Sequence, residues 1–198
     1  SIWVTGVQTC ALPILSATYA MLEPGMNTIR LTAPGKDNPD SATIFEISKE
    51  LTAGMRYTLM ITDSVKMDRD SSKIFIPDDL GEIAPLPGFI NLRFVHAVLN
   101  DTVGKTVNIF SYARNADIGT NIKPGTTTVF SRYSYNPGVV DTFYVRRSNG
   151  FVLAKIPFSG ANISSGSLDQ RSFTLYYKGD GDLASGTKGR ALAAYIND

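Results

Sequence analysis

The chain contains one cysteine, one histidine and one tryptophan, and no apolar run approaching the length of a membrane-spanning helix. Each scarcity removes a class of chemistry. A single thiol, Cys10, closes no intrachain disulfide and builds no thiolate metal site. A single imidazole, His96, obliges any Ser–His–Asp catalysis to run through that residue, and no nucleophile-elbow motif accompanies it. Without about 18–20 consecutive apolar residues, no transmembrane helix is expected. Charge is also scarce. Charged residues make up 19% of the chain and the formal net charge is +1. Neither nucleic acid nor an anionic membrane is therefore expected as a partner.

What is present is the material of strands and turns. Hydrophobic residues reach 43%, with 17 glycines and 10 prolines, and no segment sustains a helical period. The chain is organised around residues 87–110. In PGFINLRFVHA, Ile90, Leu92, Phe94 and His96 point one way and Asn91, Arg93, Val95 and Ala97 the other; Thr106–Phe110 alternates again after a polar turn. Seven strands are expected in this half, at 89–98, 106–112, 127–133, 141–147, 151–158, 171–178 and 190–196. Ser148-Asn149-Gly150 reads as a tight hairpin between two of them. In the other half, strands are expected at 17–22, 27–31, 42–48, 56–63 and 73–77, with Tyr57, Leu59 and Ile61 on one face. Pro77 is tolerable only at a strand end or sheet edge.

The halves echo each other. Pro24-Gly25 followed by Thr28-Ile-Arg-Leu31 resembles Pro137-Gly138 followed by Thr142-Phe-Tyr-Val145. Gly54 followed by Tyr57-Thr-Leu59 resembles Gly166 followed by Phe173-Thr-Leu175. Measured by these anchors, the first copy lacks its opening strands, roughly 40 residues if the repeats are equal. The expected fold is all-β, with tandem immunoglobulin-like β-sandwich modules, the first truncated at its N-terminus. Residues 15–84 form the partial module and 85–198 the second.

Residues 1–14 stand apart. Val4–Ile14, VTGVQTCALPI, resembles the translation of a sequencing-library adapter over all eleven residues, which marks the segment as non-native. Cys10 lies inside that stretch and Trp3 beside it, so the remaining chain is free of both residue types. Further on, Arg93-Phe-Val-His-Ala97 after a Pro-Gly joint, the Val107-Asn-Ile-Phe110 strand, Pro-Gly before Thr142-Phe-Tyr-Val145, and Ala53-Gly-x-x-Tyr-Thr-Leu59 resemble the bacterial domain of unknown function family 4397. The resemblance runs from about Tyr19 to Asp198. It implies an exported, extracytoplasmic protein of the cell envelope or cell surface, often lipid-anchored, carrying tandem β-sandwich modules. It supplies no catalytic residues.

Several constellations carry a functional and a plain reading. His96, on an apolar strand face, reads as a packed histidine hydrogen-bonded to backbone. Asp68-x-Asp70-x-Ser72 with Asp79 echoes a calcium loop, but position six is Lys73 where that loop requires glycine. Asp180-Gly-Asp182 reads first as a turn. Glu23, Glu46, Glu50 and Glu82 lack a catalytic setting. No catalytic residue, metal ligand or cofactor is expected. Arg30, Arg93, Arg146 and Arg147 read as solubilising outer-face residues. The remaining feature is aromatic. Tyr144 and Tyr176 fall on strand faces opposite their apolar neighbours, and Tyr112, Tyr133 and Tyr135 flank loops. These five tyrosines read first as cross-strand pairs that stabilise the sheet, and otherwise as the contact surface for a surface protein or a glycan. The leading expectation is a non-catalytic structural, adhesive or partner-binding module, and the alternative a carbohydrate-binding module.

Overall fold

The computed structural model of the chain describes residues 2–8, 20–32, 43–61, 73–79, 85–101, 106–159, 167–183, 186 and 189–197. They belong to two units, Ser1–Asp79 and Leu80–Asp198. The first contains β1 (Ile2–Gln8), β2 (Ala20–Leu22), β3 (Gly25–Thr32), β4 (Thr43–Leu51), β5 (Arg56–Ile61) and β6 (Lys73–Pro77). The second contains β7 (Phe89–His96), β8 (Val107–Ser111), β9 (Ala116–Ile122), β10 (Ser131–Ser134), β11 (Asp141–Arg146), β12 (Val152–Phe158), β13 (Ser172–Lys178) and β14 (Ala191–Ile196). The fold is all-β. Among the described residues no helix is long and apolar enough to cross a membrane.

The second unit is a two-sheet sandwich. One sheet has the order β10-β7-β13-β14 and the other β12-β11-β8-β9. β7 and β13 run parallel at the centre of the first sheet, and every pair in the second sheet is antiparallel. Alternation explains why two layers form. β8 and β11 turn every second residue inward, so Val107 and Ile109 meet Phe143 and Val145 in one core with Ile90, Leu92 and Phe94 of β7. Four rings cross this core edge-to-face: Tyr133 to Phe143 at 5.4 Å, Phe143 to Phe158 at 5.1 Å, and Phe158 to Phe173 at 5.2 Å. Each such contact contributes about 0.5–1.5 kcal/mol beyond burial, and together they tie both sheets.

The hairpin at Ser148-Asn149-Gly150 is present. Gly150 adopts φ +85°, a conformation that side-chain-bearing residues rarely enter, and its N–H donates to the Arg147 carbonyl at 2.9 Å. Eight strands form this unit rather than the seven expected from the sequence. The additional one is β9, whose Asp117, Gly119 and Asn121 obscure any alternating signal. The strand expected at 127–133 is also displaced. Thr127 makes an isolated bridge to Val95, and the ladder to β7 is carried by Ser131–Ser134.

The first unit repeats this plan. Its sheet β2-β1-β5-β6 has the same sequence of antiparallel, parallel and antiparallel pairs as β10-β7-β13-β14. β3 pairs with β4 as β11 pairs with β12, and the ladder breaks register after Leu31 in one and after Val145 in the other. Those two residues end the Thr28–Leu31 and Thr142–Val145 anchors of the sequence repeat. The match reaches single hydrogen bonds. Thr58 Oγ1 donates to Asp78 Oδ2 at 2.6 Å, and Thr174 Oγ1 donates to Asn197 Oδ1 at 2.6 Å. The Asp78 N–H returns to the Arg56 carbonyl as the Asn197 N–H returns to that of Ser172. β1 thus takes the place of β7, although it lies largely within the stretch that reads as adapter-derived. Pro77 ends β6 at the sheet edge, as its missing N–H requires. Tyr19 and Asp68–Ser72 lie outside the described residues.

Candidate functional site

The outer face of the β12-β11-β8-β9 sheet carries three neighbouring aromatic side chains, of which Tyr112 is exposed and Phe110 and Tyr144 are half-buried. Inward Val107, Ile109, Phe143 and Val145 leave Asn108, Phe110, Tyr144 and Arg146 outward, and register sets Tyr144 opposite Phe110. Tyr112 follows β8, its N–H donating to the Thr142 carbonyl at 3.0 Å, and its side chain is 67% exposed. The three rings form a run, Tyr112 to Tyr144 at 6.4 Å and Tyr144 to Phe110 at 6.2 Å.

One end of that run is closed. The Arg146 guanidinium lies 3.9 Å from the Phe110 ring centroid, a cation–π contact that covers the ring. Arg146 Nε also donates to Asp117 Oδ1 at 2.9 Å, and Asp117 Oδ2 accepts from Asn108 Nδ2 at 3.0 Å. Asn108 Oδ1 in turn accepts the Asn121 N–H. This chain fixes Arg146 and leaves Tyr112 and Tyr144 as the ring faces beside it. Lys155 sits across from Tyr144 on β12 and is exposed. The surface is amphipathic. It contains no nucleophile paired with a base.

The structure brings together two of the five tyrosines expected at the site. Tyr133 is only 6% exposed and is part of the core. Its hydroxyl bonds Ser111 Oγ and Asp141 Oδ2, and the Arg114 guanidinium lies 3.7 Å from its ring centroid. Burial, then the bond to Asp141, pushes the phenol up to about 12. Asp141 also accepts the Ala113 and Thr142 N–H groups through Oδ1, so this knot anchors the turn after β8. Tyr135 is half-buried against the core.

Tyr176 lies on the face opposite Leu175 and Tyr177, as alternation places it, but is 2% exposed. Burial raises its phenol pKa, and its ring packs 5.8 Å from that of Tyr195. Arg93 shares this sheet face and is likewise buried. Its Nε donates to Thr174 Oγ1 at 2.7 Å and its Nη2 to the Tyr195 hydroxyl at 3.1 Å. Neither residue is a solvent-facing contact. Arg147 differs similarly from the solubilising reading: it pairs with Asp101 at 2.5 Å with both side chains largely buried. Arg30 is exposed, in an ion pair with Glu46.

Sequence reasoning missed Phe110 and the Asp117–Arg146 bracket at this face. It also missed a second polar cluster at the ends of β7, β11 and β13. His96 is fully buried on the inner face and stacks edge-on against Tyr177 at 5.2 Å. Neither of its ring nitrogens has a hydrogen-bond partner, in contrast to the backbone-bonded histidine expected. Asp101 Oδ2, the Tyr177 hydroxyl and Arg190 Nε are also buried without one. Burial lowers the His96 pKa to about 4; Asp101 works in the opposite direction and Arg147 in the same one. Among the described residues no group of three or more His, Cys, Asp or Glu side chains is arranged to hold a metal ion. Compared with protein-family models and with curated proteins, the chain matches none.

Proposed function

We propose that this chain is a non-catalytic β-sandwich protein of the cell envelope that binds a surface partner through the outer face of the β12-β11-β8-β9 sheet. The observation that carries the reading is the side-by-side pair of Tyr112 and Tyr144, with Arg146 held beside them by Asp117. Rigid amphipathic rings bordered by fixed polar groups supply contact area at low entropic cost. The envelope location and a lipid anchor rest on the resemblance of residues 19–198 to the exported family named above. A non-catalytic role is supported by the placement of His96, the single histidine, fully buried away from that face.

The test is binding of the full chain to fragments of bacterial cell envelope. A Tyr112→Ala/Tyr144→Ala double variant is expected to stay folded, with a melting temperature lowered by only a few degrees, and to bind at least tenfold more weakly, about 1.4 kcal/mol. Undiminished binding by the folded double variant overturns the reading. The neighbouring rings of exposed Tyr112 and half-buried Tyr144 also favour the alternative in which the partner is a glycan. Protease treatment of the fragments abolishes binding if the partner is protein, and glycosidase treatment does so if it is carbohydrate.

The adapter-like sequence of Val4–Ile14 supports a non-native origin for β1. Sequencing the source locus across Leu15 is expected to show a different upstream sequence. A genomic read continuous through Ser1–Leu15 overturns that origin.

A further inference from the structure

Elsewhere in the second unit, buried polar side chains bond one another. Arg93 bonds Thr174 and Tyr195, Thr174 bonds Asn197, and Ser111 bonds Tyr133 and Asp141. One cluster departs from that pattern. His96 Nδ1 and Nε2, Asp101 Oδ2, the Tyr177 hydroxyl and Arg190 Nε are buried with no protein hydrogen-bond partner among the described residues. They are gathered, not scattered. His96 and Tyr177 are register partners on the adjacent strands β7 and β13, with ring centroids 5.2 Å apart. Asp101 and Arg147 act electrostatically on both rings, and Arg190 acts on the phenol. His96 and Tyr177 are fully buried, and Asp101 is 3% exposed. A turn packs directly on this place. A Cβ added at Gly181 would meet Asp101 Cα at 2.7 Å. Asn100 clasps the same turn, its Nδ2 donating to Asp180 Oδ1 at 2.7 Å and its Oδ1 accepting the Gly181 N–H at 2.9 Å.

We infer that the His96–Asp101–Tyr177–Arg190 cluster is an internal hydration site that holds at least two ordered water molecules. Each orphaned buried polar atom is costly, and five in one place would offset much of the marginal stability of a domain. Native folds satisfy such groups, with water where protein groups do not reach. The chemistry of the set selects the occupant. Asp101 Oδ2 only accepts, Arg190 Nε only donates, and the Tyr177 hydroxyl does both. Burial keeps His96 neutral above about pH 4, so one ring nitrogen donates and the other accepts. An anion is repelled by Asp101, and a cation by Arg147 and Arg190. Water is neutral and both donates and accepts. The two imidazole nitrogens point to opposite sides of the ring, so one molecule cannot serve both. This site is independent of the aromatic face.

Oxygen-17 magnetic relaxation dispersion of the full chain provides the test, because it registers waters held inside a protein and not those at its surface. In His96→Phe a phenyl ring takes the place of the imidazole and bonds no water. The dispersion amplitude is expected to fall by the equivalent of two waters. The phenyl needs no partner, so giving up those waters leaves no orphaned nitrogen behind. A smaller fall in the folded variant overturns the inference. A crystal structure of the parent at neutral pH decides the matter without any substitution. Water is expected within about 3.2 Å of each imidazole nitrogen. Imidazole nitrogens bonded directly to protein groups overturn the inference, as does density that anomalous scattering identifies as an ion.

Discussion

Phe143→Ala is expected to destabilise the second unit by about 3–5 kcal/mol, the usual cost of removing a fully buried phenyl ring. The ring sits between Tyr133 and Phe158, edge-to-face with both. Its loss removes two of the three contacts that carry the aromatic path from β10 through β11 and β12 to β13. The cavity would lie at mid-sandwich, where both sheets are held by their ladders and collapse is limited. Tyr144, one residue along the same strand, provides the contrast. It faces outward, and its truncation to alanine is expected to cost about 1 kcal/mol or less, the value of a cross-strand pair. Urea denaturation followed by circular dichroism reads both variants. Equal losses would contradict the face assignment on which the candidate site depends.

That face assignment was legible because alternation is a local property of the chain. Phe143 and Tyr144 are adjacent letters, and the period of two sends them to opposite sides wherever the strand lies. The repeat was legible for a related reason: Thr58 and Thr174, and the bulges after Leu31 and Val145, recur because equivalent backbones require the same local solutions. Exposure was not legible. Alternation separates Tyr176 from Leu175, but it cannot tell whether a face meets solvent. β13 is a central strand buried along both faces, so its outward tyrosine is as hidden as its inward one. Arg93 follows the same logic, since its buried guanidinium is matched by Thr174 and Tyr195, residues remote in sequence. β9 escaped notice because its ladder to β8 carries two register shifts and its residues favour turns.

The second large effect concerns acid. His96 is held near a pKa of about 4, below the 6.5 of an exposed imidazole, principally by burial. The unfolded chain therefore binds a proton at His96 as pH falls through about 6.5, while the folded chain resists doing so until about 4. The unfolded state takes up more protons in that window, so stability is full above it and falls as the pH is lowered. The contribution lost is on the order of 3 kcal/mol across the window. The groups facing the ring only partly offset burial. Asp101 favours the charged ring but is paired with Arg147 through Oδ1, Arg147 opposes the charge, and Tyr177 offers a ring edge. His96→Phe keeps the packing against Tyr177 and removes two unpartnered buried nitrogens. The variant is expected to match or exceed the parent in stability at pH 7 and to lose markedly less between pH 6.5 and 4. Denaturation midpoints across that range provide the check. A variant whose acid limb parallels the parent's would remove His96 from the account of acid sensitivity.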